Sequence, residues 1–106
     1  MSYRYMRTLL FFDLPTLTNT DRRNYRKFIK NLKINGFMMV QESVYMKMSI
    51  DSQAMESTIK KIREIVPPKG FIMALNVTEK QFSAMEILLG DFTTNVINDD
   101  ERVVIL

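Results

Sequence analysis

The strongest constraint on the fold comes from two strand-like runs that are apolar on both faces. Side chains of a β-strand point alternately to the two sides of a sheet, so a strand with one solvated face alternates apolar and polar residues. Residues 8–12 (TLLFF) and 71–75 (FIMAL) are instead apolar at nearly every position. Both faces of these strands therefore need a cover, and a chain of 106 residues has room for one domain with a single core.

Two segments have the periodicity of amphipathic helices. The first is predicted to have Thr20 as its N-cap and to end at Asn35-Gly36. Its apolar positions are Tyr25, Phe28, Ile29 and Leu32. The second is predicted to begin near Asp51 and to be stopped by Pro67-Pro68. Its apolar positions, which we expect to be buried, are Met55, Ile59, Ile62 and Ile65.

Predicted strands flank these helices, with one further helical turn expected in TEKQF, residues 78–82. The strands are residues 4–13, a hairpin over 37–49 that turns at Glu42-Ser43, and residues 70–77, 85–89 and 102–106. The order β-α-β-β-α-β predicts an α+β, ferredoxin-like sandwich over residues 1–90 with additional C-terminal strands, followed by a C-terminal loop and strand over 91–106. Because two short helices cover only one face of such a sheet, we expect a homodimer packed sheet to sheet.

The first helix carries the clearest nucleic-acid signal. Residues 1–36 hold eight Lys/Arg against two Asp, whereas residues 76–106 hold six acidic side chains against two basic ones. On a helical wheel the cations lie on one flank beside the apolar arc, with Lys33 at its end. The candidate phosphate contacts are Arg22, Arg23, Arg26, Lys27 and Lys30. A solvated helix face is the simpler interpretation, but like charges at i,i+4 repel and a polyanion relieves that repulsion.

Composition excludes several kinds of chemistry. The chain has no Cys, so thiolate chemistry and disulfides are excluded, and no His, the commonest general base and transition-metal ligand. Any bound metal would need oxygen ligands, which favours Mg²⁺ or Mn²⁺. No apolar run approaches the roughly 20 residues of a membrane helix. We expect a cytoplasmic protein.

Asp13, which ends the run RTLLFFDLP, is the candidate for chemistry on the first strand. One carboxylate neither holds Mg²⁺ tightly nor supplies both an acid and a base. In a two-fold dimer, two Asp13 side chains could share one hydrated metal ion. The simpler alternative is that Asp13 ends the strand and accepts hydrogen bonds from backbone N–H groups in the following turn.

Three motifs in this order resemble a known family. LLFFDLP, a basic helix closed by NGF, and VQESVY at the hairpin are similar to the small CRISPR-associated adaptation protein, Cas protein two. FIMALNVTEKQF, MEILLG and RVVIL resemble the version found in systems that use a Cas9-type effector. The resemblance covers essentially the whole chain.

The resemblance implies a ferredoxin-like homodimer at the centre of a complex with two dimers of the Cas integrase, Cas protein one. This complex captures short duplex fragments of invader DNA and inserts them as spacers. The C-terminal segment is implied to pair across the dimer and to contact the integrase; its residues are Arg102, Val103, Val104, Ile105 and Leu106.

The resemblance also implies a metal-dependent endonuclease, in which Asp13 is catalytic and binds one Mg²⁺ or Mn²⁺ per dimer. Many family members do not need this activity for spacer acquisition. The family often has Tyr before the aspartate, where this chain has Phe12.

Three hypotheses stay open from the sequence. The first is a scaffold for spacer acquisition that binds the backbone of duplex DNA without sequence specificity. The second is an endonuclease whose main role is to cut DNA or single-stranded RNA. The third is a ferredoxin-like regulatory module that binds a small ligand.

Overall fold

The computed structural model describes residues 5–90, which form four strands and three helices. They are β1 (Met6–Asp13), α1 (Asn19–Ile34), β2 (Met38–Gln41), β3 (Val44–Ser49), α2 (Ser52–Ile65), β4 (Phe71–Thr78) and α3 (Glu79–Ser83). The strands form an antiparallel sheet in the order β2-β3-β1-β4. This is the ferredoxin-like order, so the predicted fold class is confirmed. The predicted strand at residues 102–106 lies outside the described residues.

The N-terminus of α1 differs from the prediction. Thr18, not Thr20, is the N-cap: its hydroxyl accepts a hydrogen bond from the Asp21 N–H at 3.0 Å. The Asp21 carboxylate in turn accepts from the Thr18 N–H at 3.2 Å, which completes a capping box. With Thr20 as the cap, the third residue would be Arg23, whose side chain cannot accept that hydrogen bond. The predicted end is correct, since Asn35 is the C-cap and Gly36 has a φ of +91°.

One face of the sheet is covered by α1 and α2. The core on this face is made of Leu10, Phe12, Phe28, Leu32, Phe37, Tyr45 and Ile62. Phe12 lies at its centre, with its ring centroid 5.4 Å from that of Phe28 in an edge-on arrangement. Of the four residues predicted to be buried on α2, only Ile62 is fully buried; Met55, Ile59 and Ile65 are half-buried. A groove of about 300 Å³ between α2 and β4, lined in part by Ile59 and Ile72, leaves Ile59 partly exposed.

The opposite face, called here the open face, is covered by residues 5–90 only at one end. There α3 lays Phe82 against Leu9 and Met46. Arg7 holds α3 in place, because its Nε and one terminal nitrogen donate to the two Glu79 carboxylate oxygens at 2.7 and 3.0 Å. Its guanidinium carbon also lies 4.3 Å from the centroid of the Phe82 ring. This second, smaller cluster explains why β1 is apolar at both Leu9 and Leu10.

Beyond α3 the open face is apolar and exposed. On β4, Phe71, Met73 and Leu75 are 62%, 51% and 50% exposed. Met38 on β2 and Met48 on β3 are exposed on the same face. The run FIMAL is therefore apolar on both faces. Within residues 5–90, Ile72 on one face packs against the core, whereas Phe71, Met73 and Leu75 on the other face are exposed.

The strand predicted at residues 85–89 does not form. The N–H of Met85 donates to the Phe82 carbonyl at 3.1 Å, which closes the turn after α3 and removes the donor that a strand ladder would use there. None of the helices in the described part of the chain is long and apolar enough to cross a membrane.

Candidate functional site

Asp13 lies at the end of β1 on the open face, at the opposite end of the strand from the helix α3. It shares the parity of Leu9 and pairs in register with Phe71 at the start of β4. On the other side, the N–H of Phe12 donates to the Ser43 carbonyl in the β2–β3 turn at 3.1 Å. Six residue steps along the strand, about 20 Å, separate Asp13 from Arg7 under α3. The carboxylate therefore stands on a rigid strand end, away from the part that α3 covers.

Gly70 is required for this position of Asp13. It has a φ of +112°, a region that residues with a side chain rarely adopt. A Cβ added there would lie 2.5 Å from the Leu14 Cδ2 atom and 3.0 Å from the Asp13 carbonyl oxygen. A side chain at this position would displace the Leu14 side chain and crowd the Asp13 carbonyl oxygen.

The Asp13 carboxylate has no structural role within the described residues. It is exposed and accepts no hydrogen bond from residues 5–90, so the turn-bonding alternative is wrong for this part of the chain. Asp21 is the carboxylate that does cap backbone groups. The strand-end carboxylate is free to interact with another molecule.

Residues 5–90 of one protomer do not by themselves provide a metal site around Asp13. No three acidic, His or Cys side chains cluster anywhere in residues 5–90. A single carboxylate does not fit the six-oxygen shell of Mg²⁺ without other protein ligands or substrate oxygens. Beyond residues 5–90 of one protomer, a metal ion at Asp13 would therefore need further oxygen ligands, for example from a substrate or from a second copy of the chain.

Phe12, the residue before the aspartate, points to the other side of the sheet. It is 6% exposed and belongs to the core beneath α1 and α2. The absence of a tyrosine hydroxyl at this position consequently concerns packing of the core and not the surroundings of the Asp13 carboxylate.

The cations of α1 fall into two groups. Arg22 donates from one terminal nitrogen to the carbonyls of Thr16 and Leu17, both at 2.9 Å, and from the other to the Asn19 side chain. Its guanidinium holds the loop before α1, which the sequence did not suggest. The other predicted phosphate contacts are exposed and make no side-chain hydrogen bond or ion pair within residues 5–90; they are Arg23, Arg26, Lys27 and Lys30.

The one acidic residue inside α1 does not neutralise these cations. The hydrogen bond from the Thr18 N–H is the main reason why the pKa of Asp21 lies below its usual value, and Lys69, 3.9 Å away, lowers it further. Asp21 is buried at the start of the helix, where its carboxylate accepts the hydrogen bond of the cap. No ion pair within residues 5–90 compensates the positive charge on the exposed flank of α1.

These features define a class of protein: a ferredoxin-like α+β domain with a basic helix on one side of its sheet and a free carboxylate on an open apolar face on the other. The family model described as CRISPR associated protein Cas2 matches residues 6–85, and the chain belongs to that family. The predicted resemblance is confirmed.

Curated relatives align over nearly the whole chain. A protein of Treponema denticola is 45% identical over 95% of this chain and 100% of its own length. One of Ligilactobacillus salivarius is 44% identical over the same shares, and one of Streptococcus mutans is 46% identical over 95% of this chain and 93% of its own length. Each of the three is named CRISPR-associated endoribonuclease Cas2.

Proposed function

We propose that this protein acts in CRISPR adaptation as a dimeric scaffold, which binds the backbone of duplex DNA and bridges Cas integrase dimers during spacer integration. The observation that carries the proposal is the positive flank of α1, whose exposed Arg23, Arg26, Lys27 and Lys30 have no counter-ion within residues 5–90. Phosphates supply that counter-ion, and nothing about the flank requires base recognition.

The open face supports the dimeric part of the proposal. Exposed apolar side chains on β4 continue the half-covered cluster at Leu9, and a second copy of the same surface would remove them from water. A two-fold axis sets identical residues against each other, so such a dimer would also bring the two Asp13 carboxylates to one interface.

A second candidate function is a phosphodiesterase centred on Asp13. It is favoured by the free carboxylate and by the names of the relatives, which are endoribonucleases. The Asp13 residues of two protomers would hold Mg²⁺ or Mn²⁺, which when bound supplies an activated water and neutralises phosphodiester charge. This chain's own contribution is a rigid placement of Asp13 by Gly70 and the β1–β4 pairing.

Charge reversal on α1 tests the scaffold. The double variant Arg23→Glu/Arg26→Glu should lose about 10-fold or more of its affinity for a duplex of about 30 bp and flatten the salt dependence. The control is Lys60→Glu/Lys61→Glu, which makes the same change of charge on exposed positions of α2. Equal losses in both variants would show that only net charge matters and would contradict a defined phosphate surface.

Spacer acquisition in cells separates the two candidate functions. Asp13→Asn should leave the urea midpoint and DNA affinity unchanged, because this carboxylate makes no hydrogen bond within residues 5–90. The scaffold predicts that acquisition survives Asp13→Asn and fails in Arg23→Glu/Arg26→Glu. Loss of acquisition in a folded, DNA-binding Asp13→Asn protein would instead favour the phosphodiesterase as the main role.

A further inference from the structure

A concave surface runs along the side of α1 that faces away from α2, and the proposed function does not account for its apolar part. It has a volume of about 550 Å³ and is lined by Tyr25, Arg26, Ile29, Lys30, Lys33 and Ile34. Tyr25 and Ile29 are half-buried and pack against the core from which the surface rises. Ile34, in the last turn of the helix, is 69% exposed.

The charged part of this surface has one sign. Arg26, Lys30 and Lys33 are exposed, and none makes a side-chain hydrogen bond or ion pair with residues 5–90. Glu42 stands near the other end, where burial and this carboxylate both raise the pKa of Tyr25. The surface is consequently positive along the last turns of α1 and apolar beside them.

The combination of aliphatic and cationic groups indicates the kind of partner. A phosphate backbone would use the cations but gains nothing from Ile29 and Ile34, whereas Ile34 contributes little to this chain's own core. Carboxylates pair with Arg and Lys, and aliphatic side chains gain free energy by covering exposed isoleucine.

We infer that this surface docks an acidic, apolar peptide segment of a partner protein. Its carboxylates pair with Arg26, Lys30 and Lys33, and its aliphatic side chains cover Ile29 and Ile34. Arg26 and Lys30 are shared with the proposed phosphate surface, so Lys33 and Ile34 are the residues that distinguish peptide binding from DNA binding.

Three labelled ten-residue peptides test the inference with the full-length protein, by fluorescence anisotropy. In the first Leu alternates with Glu, in the second Ser alternates with Glu, and in the third Leu alternates with Lys. The Leu-Glu peptide should bind at least about 10-fold more tightly than either of the others, because only it offers both carboxylates and aliphatic groups.

Substitution of Ile34 locates the binding. Ile34→Gln should lower the affinity for the Leu-Glu peptide by about 5-fold. It should leave the affinity for duplex DNA unchanged, since no charge is altered. The matched control is Ile50→Gln, at a position 67% exposed outside the surface, which should change neither. Lys33→Gln is a second variant, and it should lower the affinity for the same peptide several-fold because an ion pair is lost.

Three outcomes would overturn the inference. Equal binding of the Ser-Glu peptide would show that charge alone is recognised. A loss of DNA affinity in Ile34→Gln as large as the loss of peptide affinity would assign the surface to nucleic acid. Equal effects of Ile34→Gln and Ile50→Gln would show that peptide binding is not local to α1.

Discussion

The two faces of the sheet are formed by the same strands but are covered differently. On one face α1 and α2 bury Leu10 and Phe12 completely or nearly so. On the open face Leu9 is buried only because α3 folds over one end, and Leu75 on the neighbouring strand stays half exposed. The comparison teaches that the first face stabilises the protomer, whereas residues 5–90 leave apolar area exposed on the second, which is why a second protein surface is proposed there.

The largest effect should come from matched leucine truncations on the two faces. Leu10→Ala removes a side chain with no exposed surface and should lower the free energy of unfolding by about 2–5 kcal/mol. Leu75→Ala, on the paired strand but 50% exposed, should cost less than about 1 kcal/mol in dilute protein. Urea denaturation of both variants checks this. Equal losses would mean that the open face is already part of the protomer's core.

A smaller effect should come from a charge placed on the open face. In the proposed two-fold dimer Leu75→Glu would place two charges in the interface, and it should raise the dissociation constant on the order of 100-fold, equivalent to about 2.7 kcal/mol. Sedimentation velocity over a dilution series measures this. Ile50→Glu is the control, because Ile50 is 67% exposed but lies off the sheet. If both variants leave the same oligomer, the sheet-to-sheet dimer is wrong.

The smallest effect concerns pH and belongs to the helix-covered face. Because the folded-state pKa of Asp21 is below its usual 3.8, the unfolded state binds the proton more readily. The stabilisation is therefore present above pH 3.8 and is lost as the pH falls through that value toward the lowered pKa. In Asp21→Asn the urea midpoint should therefore fall less as the pH is lowered below about 4. If the midpoint of this variant falls with pH as much as that of the wild type, this carboxylate does not act as part of the helix cap.

Much of the fold could be predicted because it depends on local patterns. The helix spacing of Phe28 and Leu32, the stop at Pro67-Pro68 and the turn at Glu42-Ser43 each use nearest neighbours along the chain. Thr18 could also have been found, since a Thr followed three residues later by Asp is a capping-box signature. The absence of the strand at residues 85–89 could not have been predicted, because the N–H of Met85 donates within a turn that depends on how α3 packs.

The candidate site was predictable only in part. Asp13 was visible as a carboxylate at the end of an apolar strand, but its freedom from hydrogen bonds and its place on the open face come from tertiary pairing. Gly70 carries no motif, and its importance depends on the close approach of Leu14, a residue 56 positions away in the chain. Arg22 looked equivalent to Arg23 on the helical wheel, yet its guanidinium holds the preceding loop.

The Arg7–Glu79 pair has a consequence for how two sheets can meet. By fixing α3 above one end of β1, it raises a step on a surface that would otherwise be level. A second flat sheet can then approach closely only on the lower side of that step, where Phe71 and Asp13 lie. In the proposed sheet-to-sheet dimer, the pair would therefore set the offset between the two protomers and decide which strand ends face each other.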